Sequence, residues 1–344
     1  MIIANESRLF DKVAIFGDIH YGLKNNSRKH NQDCEKFLLW FIDQAKANGC
    51  NTCIFLGDLQ HHRNSVNVST LNYLVSACKL LNEAFDDVYL LTGNHDLFYR
   101  EKREIHCFPF AVNFNNIHVI NDPIVIGQVA LIPWLVENEH KKIKKMKSKY
   151  IFGHFELPSF LMNAMVRMPD HGGINSDDLK GADYVFSGHF HKRQNQDNIH
   201  YIGSPFPHNF SDVWDDERGM VILEWGGKPQ YINWADGPKY ITMNFSDLLK
   251  NPDLYLHSET HARINIDVPI NYEDVLFLRE SLTECYRLRE LAFIHKNNME
   301  MNDEWSSEES IEIESVDQIV FNELKAVQSE FIDSNKLLEY YLSL

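Results

Sequence analysis

The sequence predicts an α/β fold followed by a small α+β domain and a helical C-terminal tail. Short apolar segments of strand length alternate with longer segments whose apolar residues recur every three or four positions, a pattern typical of βαβ units. Five of the predicted strands end in Gly followed by Asp, Asn or His. The chain of 344 residues is long enough for two domains or for one large domain with appendages, and its 44% hydrophobic content permits a full core.

Two amphipathic helices are predicted in the first half of the chain. Residues 30–47 and 69–85 carry apolar stripes at helical spacing, and Ser69 is the expected N-cap of the second helix. The predicted strands around and after these helices are 13–16, 53–56, 88–92, 117–120, 124–132, 150–152 and 184–186.

The five strand ends carry the chemistry of the sequence. They read Gly17-Asp18-Ile19-His20, Gly57-Asp58, Gly93-Asn94-His95-Asp96, Gly153-His154 and Gly188-His189-Phe190-His191. Ligands of open sheets bind beyond the carboxyl ends of the strands, and Gly lets the chain turn sharply there. A single Gly-Asp pair is usually an ordinary turn, and two nearby histidines usually lie on the surface. The ordered repetition instead indicates one site at which the following polar side chains converge.

Oxygen and imidazole ligands without a thiolate suit Mn²⁺, Mg²⁺, Fe or Zn²⁺. The strand ends offer more such groups than one ion with an open coordination position can use. Two ions bridged by a carboxylate, about 3.5–4 Å apart, would use nearly all of them.

Taken in order, these five motifs resemble those of the calcineurin-type binuclear metallophosphoesterases over about the first 210 residues. The resemblance implies a two-sheet metallophosphoesterase sandwich flanked by helices. One ion would be held by Asp18, His20, Asp58 and His191, and the other by Asp58, Asn94, His154 and His189, with Asp58 as the bridge. The expected cofactors are two divalent ions, Mn²⁺ first and Mg²⁺ as the alternative.

The same resemblance implies roles for three residues that do not bind metal. His95 would face the phosphate, stabilise the developing charge and protonate the leaving oxygen. His61 would be a secondary substrate contact. Asp96 would orient His95, although a simple turn carboxylate is an equally good interpretation.

Composition limits the classes of function. A net charge of −16 excludes nucleic-acid binding through bulk positive charge. Six lysines between His140 and Tyr150 indicate a solvated helix face, with a DNA-backbone patch as the alternative. The six cysteines are scattered and are expected to be reduced. The sequence has neither a basic-then-apolar leader nor an apolar run of membrane-spanning length, so we expect no membrane contact and a cytoplasmic location.

The second half of the chain predicts smaller units. Strands are expected at 219–225, 230–234 and 239–244, and a strand–helix–strand unit at about 260–296, with Asn271 and Asp274 as a capping box. Residues 159–176 are expected to form a mobile loop near the site. Residues 300–317 contain eight acids and no Lys or Arg, which predicts a disordered linker. The predicted division is 1–210 metallophosphoesterase domain, 211–298 capping domain, 299–318 acidic linker and 319–344 helical segment.

This order of parts is similar to the SbcD-type DNA repair and recombination nucleases, in particular the phage recombination-endonuclease branch. The resemblance implies a DNA exonuclease and endonuclease, a homodimer, and an SbcC-type coiled-coil ATPase partner bound through residues 319–344. The homodimer would form through residues 69–85 and 106–114, with Leu74 and Leu81 in the interface. Gln60, the short cap and Glu156 close behind Gly153-His154 depart from the family pattern.

Three alternatives remain at the level of sequence. The core motifs also fit a metallophosphatase or small-molecule phosphodiesterase, although neither gives the linker and tail a role. A non-catalytic scaffold that has lost its metals is disfavoured because every ligand position is filled. The tail helix could also fold back on the chain's own cap.

Overall fold

The structure, a computed structural model, describes residues 8–144, 146–162 and 166–295. Within these ranges the strands are β1 (Lys12–Phe16), β2 (Thr52–Phe55), β3 (Asp87–Leu91), β4 (Ile117–Ile120), β5 (Ile124–Ile126), β6 (Val129–Ile132), β7 (Tyr150–His154), β8 (Tyr184–Gly188), β9 (Gln194–Gln196), β10 (Ile199–Tyr201), β11 (Gly219–Glu224), β12 (Gln230–Asn233), β13 (Lys239–Asn244), β14 (Thr260–Ile266) and β15 (Glu290–His295). The helices are α1 (Leu23–Asn26), α2 (Arg28–Ala47), α3 (Val68–Ala84), α4 (His140–Ile143), α5 (Phe245–Leu248), α6 (Pro252–Tyr255) and α7 (Tyr272–Tyr286). Short 3₁₀ turns occur at Pro109–Asn113, Ser176–Leu179 and Phe210–Asp212.

The first sheet has the strand order β12-β11-β1-β2-β3-β4. Strands β1 to β4 run parallel, while β11 pairs antiparallel with β1 and β12 antiparallel with β11. Helices α2 and α3 are the crossovers from β1 to β2 and from β2 to β3, as the apolar spacing predicts. Their buried side chains, such as Phe41 and Leu81, pack in one core with Phe16 and Phe55 of the sheet.

The second sheet has the order β5-β6-β7-β8-β10-β9. Its central strands β6, β7, β8 and β10 are parallel, and β5 and β9 close its edges in antiparallel pairs. The predicted single strand 124–132 is two strands, because Gly127 takes a left-handed turn with φ of 57°. Helix α4 is only one turn long, so among the described residues the helix face predicted from the lysines between His140 and Tyr150 is limited to Lys141 and Lys142.

The two sheets enclose an inner core of alternating strand residues. Val13, Ile54 and Leu91 from the first sheet pack in one cluster with Leu131 and Phe152 from the second. Helices α2 and α3 cover the outside of the first sheet, and α4 with loop segments covers the outside of the second. The predicted two-sheet sandwich flanked by helices is therefore confirmed.

A third sheet, ordered β13-β14-β15 and fully parallel, is separate from the sandwich. It has its own small core with α5 and α7, which includes Ile241, Phe245 and Ile264. Asn271 caps α7 by accepting a hydrogen bond from the N–H of Asp274 at 2.8 Å. Strands β11 and β12, however, belong to the first sheet, so the beginning of the predicted 211–298 capping region is part of the sandwich. The domain division as a whole stays a prediction.

Helix α3 differs from its predicted use in two ways. Asn67 is its N-cap and accepts a hydrogen bond from the N–H of Ser69, so Ser69 itself is not the cap. Leu74 and Leu81 are buried in the core of the first sheet, so they cannot lie in a dimer interface. The exposed apolar side chains of this helix are Val68, Leu71 and Val75.

The predicted acidic linker and the predicted ATPase-binding segment 319–344 lie outside the described residues. Among the residues that the structure does describe, no helix has the length and apolar character needed to cross a membrane. The six cysteines, all within the described ranges, form no disulfide.

Candidate metal centre

The structure brings every predicted ligand to one edge of the sandwich. Strands β1, β2 and β3 are neighbours in the first sheet, and β7 and β8 are neighbours in the second. The carboxyl ends of these parallel strands meet at the same edge, so the residues that follow them face one another across the gap between the sheets. The residues brought together are Asp18, His20, Asp58, Asn94, His154, His189 and His191.

The backbone at this edge is held in unusual conformations. Asp18, His20, Asp58 and His189 all have left-handed φ angles, between 52° and 88°. Such conformations cost about 1–3 kcal/mol for non-glycine residues and cluster at functional sites. The tightly packed sandwich holds them in place.

Two glycines are required by close approach. A Cβ on Gly93 would lie 2.2 Å from Oδ1 of Asp58, and a Cβ on Gly57 would lie 2.5 Å from Nδ1 of His154. Gly57 also has a left-handed φ of 100°. The Gly of the repeated motif therefore makes room for the ligands of the neighbouring strands.

The first group of ligands contains Asp18, His20 and His191. The Nε2 atoms of His20 and His191 lie 3.1 Å apart, and the ligand atoms of all three residues lie within 4.8 Å of one another. One oxygen of Asp18 accepts a hydrogen bond from the N–H of His189 at 2.9 Å. Its other oxygen, Oδ2, is buried and has no hydrogen-bond partner among the described residues.

The second group contains Asn94, His154 and His189. Oδ1 of Asn94 lies 3.0 Å from Nε2 of His154 and 2.9 Å from Nδ1 of His189. The remaining nitrogen of each histidine has an acceptor: Nδ1 of His154 donates to the carbonyl of Leu56 at 2.7 Å, and Nε2 of His189 donates to Glu156 at 3.3 Å. The other ring nitrogen of each residue, Nε2 of His154 and Nδ1 of His189, therefore faces the oxygen of Asn94.

Asp58 lies between the two groups. Its Oδ2 is 3.6 Å from Nε2 of His20 and 3.5 Å from Nε2 of His154. Its Oδ1 accepts a hydrogen bond from the N–H of His95 at 2.8 Å, which fixes the carboxylate plane. One carboxylate oxygen is thus directed toward both sets of donors.

This arrangement fits divalent cations. Lone pairs of imidazole nitrogens and of carboxylate and amide oxygens converge at about 3 Å, which is repulsive unless a proton or a cation lies between them. The buried, unpartnered Oδ2 of Asp18 needs the same compensation. Histidine and oxygen ligands without thiolate match the donors of a two-metal site.

Burial and the closeness of other ionisable side chains shift the pKa values of several of these residues. Burial, assisted by Asp58, raises the pKa of Asp18 above its usual range. Burial alone would lower the pKa of His154, but the carboxylates of Asp58 and Asp18 raise it to about 9. Burial lowers the pKa of His20 and of His191, so both are neutral and able to offer lone pairs.

His95 and His61 lie beside the first group. Their rings are stacked 5.2 Å apart with a 15° angle between planes, and the ring of His95 meets that of His20 edge-on at 4.9 Å. Nδ1 of His95 donates to the carbonyl of His61 at 2.7 Å. This hydrogen bond leaves Nε2 of His95 available to a substrate.

Asp96 does not orient His95, contrary to one of its two predicted roles. Its buried carboxylate accepts hydrogen bonds from the backbone N–H groups of Asp58 at 2.7 Å, Leu59 at 2.9 Å and Gly93 at 2.8 Å. It therefore ties the loop after β2 to the loop after β3. The turn-carboxylate interpretation describes it better.

Three residues at the site have no signal in the repeated motif. Glu156 accepts a hydrogen bond from Nε2 of His189 and forms an ion pair with Arg100 at 3.1 Å. The ring of Trp134 lies 5.1 Å from that of His189. His208 is buried against His20 and His191. It lies five residues after Gly203, too far for the strand–Gly–polar pattern to find it.

The profile of the calcineurin-like phosphoesterase family matches residues 11–193. Exonuclease subunit 1 of Enterobacteria phage T4 is 28% identical over 224 residues, which cover 62% of this chain and 64% of that protein. The chain thus matches less than two thirds of the length of this relative.

Two solved structures are also similar. The nuclease MPE of Pseudomonas putida is 20% identical and has a TM-score of 0.30, with 55% of this chain and 66% of that chain covered. A dimetal phosphatase from Danio rerio is 10% identical and has a TM-score of 0.39, with 62% of this chain and 92% of that chain covered.

Proposed function

Because the chain belongs to the calcineurin-like phosphoesterase family, we propose that it is a metal-dependent nuclease that hydrolyses DNA phosphodiester bonds. The observation that carries the proposal is Oδ2 of Asp58, which lies 3.6 Å and 3.5 Å from one histidine of each ligand group. A carboxylate oxygen in this position suits a bridge between two ions, and two ions clamp the attacking and leaving oxygens of an in-line phosphoryl displacement.

The chain's own residues divide the work. Asp18, His20, Asp58 and His191 would hold one divalent ion, and Asp58, Asn94, His154 and His189 would hold the other. When bound, these ions supply Lewis acidity and lower the pKa of a water molecule. The proposed ions are Mn²⁺, with Mg²⁺ as the alternative. This preference comes from the family resemblance, and the imidazole and oxygen donors are compatible with it.

His95 is the proposed proton donor to the leaving 3′ oxygen. Its Nδ1–H donates to the carbonyl of His61, so Nε2 is the nitrogen left for the substrate. Nε2 can donate a proton when both ring nitrogens are protonated. His61, stacked against it, is the proposed secondary substrate contact. Asp96 acts on the backbone of the site: its carboxylate fixes the loop that carries Asp58 and the loop that carries His95.

DNA is proposed as the substrate for two reasons. The sequence relative is named as a subunit of a phage exonuclease, and the order of parts resembles the SbcD-type nucleases. The test compares hydrolysis of bis(p-nitrophenyl) phosphate, p-nitrophenyl phosphate and single-stranded DNA by the manganese-loaded chain. We expect the diester and DNA to be cleaved and the monoester to be a poor substrate.

The opposite preference, monoester over diester with DNA intact, would favour the metallophosphatase alternative. Metal content separates both activities from a non-catalytic scaffold. Protein purified without added ions should bind two equivalents of manganese on titration, whereas a scaffold would bind none.

We also propose that the chain is the nuclease subunit of an SbcCD-type complex that acts in double-strand break repair and recombination in the cytoplasm. Residues 319–344, which lie outside the described residues, would bind the SbcC-type ATPase. Truncation after residue 300 should preserve manganese-dependent cleavage of single-stranded DNA. It should abolish co-purification with the ATPase and ATP-stimulated cleavage of duplex DNA. A truncated chain that still held the ATPase with unchanged affinity would exclude the tail as the docking segment.

A homodimer is the remaining part of the proposal. Val68, Leu71 and Val75 form an exposed apolar strip on α3. Leu71→Glu combined with Val75→Glu should give monomers in light scattering without loss of folding stability. Phe277→Glu, at an exposed apolar position on α7, is the matched control and should leave the dimer intact. A wild type that is monomeric at micromolar concentration would contradict the proposal.

A further inference from the structure

His208 is a buried histidine without a protein partner. Its side chain is 1% exposed, and neither Nδ1 nor Nε2 has a hydrogen-bond partner within the described ranges. A neutral imidazole has one donor and one acceptor nitrogen, and each left unpaired in a protein interior costs about 1–3 kcal/mol. Native structures seldom leave such groups unpaired unless they serve a site.

The surroundings of His208 identify that site. Its ring centroid lies 5.0 Å from the ring of His191 and 5.6 Å from the ring of His20, in both cases edge-on. These are the two histidines of the first ligand group. The third neighbouring imidazole, His30, is already engaged, because its Nε2 donates to the carbonyl of His20 at 3.0 Å.

A buried hydrogen-bond network fixes His208 relative to His191. The N–H of His208 donates to Oδ2 of Asp212 at 2.8 Å, and Oδ1 of Asp212 accepts from Nη2 of Arg218 at 3.0 Å. Nη1 of the same guanidinium donates to the carbonyl of His191 at 2.7 Å. Arg218 is itself 1% exposed. A ligand of the first ion and His208 are thus held on one rigid support.

We propose that His208 is a positioning residue of the first metal position, where one of its ring nitrogens hydrogen-bonds an oxygen atom held at the ion. The inference rests on the proposed function. His208 is not among the clusters of described residues whose ligand atoms lie within 4.8 Å of one another, so it acts beside the ligands and not as one of them. The oxygen belongs either to water or to the phosphate of the substrate, and the experiment distinguishes these sources.

The first arm measures manganese binding by electron paramagnetic resonance in phosphate-free buffer. His208→Leu fills a similar volume but removes both nitrogens. Loss of a hydrogen bond around a metal's ligand shell typically costs about 10–100-fold in metal affinity. We therefore expect one of the two manganese ions to bind about 10–100-fold more weakly in this variant and the other to bind unchanged. His208→Asn, which keeps a donor and an acceptor, should recover part of the affinity.

His200→Leu is the matched control. His200, on strand β10 of the second sheet, is also a buried histidine. Unlike His208 it has a side-chain partner, because its Nδ1 lies 2.7 Å from the hydroxyl of Tyr231. This variant should lose folding stability and keep both manganese affinities. A merely structural role for His208 would give the same result in His208→Leu and would also leave phosphate binding unchanged. These two results together would count against the inference.

The second arm measures binding of inorganic phosphate to the manganese-loaded protein by calorimetry. Weaker phosphate binding in His208→Leu, with both manganese affinities unchanged, would assign the oxygen to the substrate's phosphate. Manganese and phosphate affinities that both stay within about twofold of wild type would overturn the inference. If His208→Leu does not fold, manganese and phosphate affinities are measured on His208→Asn and His208→Phe instead.

The two proposals fail in different ways. A wild type that binds no manganese would overturn the proposed function and this inference together. A wild type that binds two ions and cleaves diesters, next to an unaffected His208→Leu variant, would overturn this inference alone.

Discussion

The two halves of the candidate metal centre are built differently. In the second group, the outer nitrogen of each histidine donates to an oxygen, the carbonyl of Leu56 for His154 and the carboxylate of Glu156 for His189. In the first group, the outer nitrogen of His20 lies 3.4 Å from a nitrogen of His61, and the neighbouring His208 is unpaired within the described residues.

This difference has a physical consequence for metal binding. An oxygen acceptor on the outer nitrogen fixes the tautomer and the ring orientation of a ligating histidine and makes it more basic. The second position should therefore hold its ion more firmly, and the first should be the more labile. Asp58 is the proposed ligand of both metal positions. Because it would be shared, a change at Asp58 itself should affect metal binding at both.

The largest effect is expected from a change at Asp58, which should abolish metal binding at both positions. Asp58→Asn keeps the shape of the side chain but takes away the negative charge directed at both groups. We expect binding of both ions to be lost and diester hydrolysis to fall by at least about 10³-fold, since catalysis depends on the ions. Manganese titration and the rate on bis(p-nitrophenyl) phosphate measure this. Retention of one tightly bound ion would show that Asp58 is not shared.

His95→Ala should separate chemistry from metal binding. The proposed proton donation by His95 is worth about 10²–10⁴-fold in rate. We expect cleavage of DNA to fall by that factor while the manganese stoichiometry stays at that of wild type. If the variant kept activity within a few-fold of wild type, His95 would not be the proton donor.

Stepwise removal of metal should reveal the two positions in the wild type. Partial chelation is expected to release one ion before the other, and the labile ion should be the one at the first position. His191→Ala, which removes a ligand of the first position only, should contain the firmly bound ion alone. Elemental analysis after dialysis against graded chelator measures both. Release of the two ions together would argue against unequal positions.

Glu156→Gln should reduce the difference between the positions. The amide keeps the size of the side chain but is a weaker acceptor for Nε2 of His189. We expect the second ion to bind about 10–100-fold more weakly and the first to bind unchanged. Glu284→Gln, at an exposed acidic position on α7, is the control and should change neither affinity.

The smallest effect is expected from Arg100→Ala. Arg100 pairs with Glu156 at 3.1 Å, but both side chains are partly exposed, at 45% and 28%. Ion pairs in such positions contribute about 0–1 kcal/mol. We therefore expect the affinity of the second position to fall by less than about fivefold, and manganese titration at low ionic strength should show it. A loss as large as that of Glu156→Gln would mean that Arg100 itself holds the carboxylate in place.

The sequence by itself predicts the candidate metal ligands and the α/β sandwich, and the structure confirms the sandwich. Each ligand follows a short apolar strand and a Gly within two or three residues, so the signal is local and the repeat of five is specific. Parallel strands place their carboxyl ends at one edge, which is why local motifs far apart in the chain could be predicted to converge.

Tertiary structure alone decided the residues whose role depends on a distant partner. Helix α3 is apolar on more than one side, and only packing against the sheet shows that Leu74 and Leu81 are buried while Leu71 and Val75 are exposed. The sequence allows Asp96 either to orient His95 or to be a turn carboxylate. The hydrogen bonds that it accepts from the N–H groups of Asp58 and Leu59 favour the second role. Strand β11 joins the first sheet by pairing with β1, about 200 residues earlier, and β12 joins it by pairing with β11. His208 lies beside the candidate metal centre on a loop without a motif. Periodicity fixes the type of an element, but which face is buried and which strand is paired are set by contacts between segments far apart in the chain.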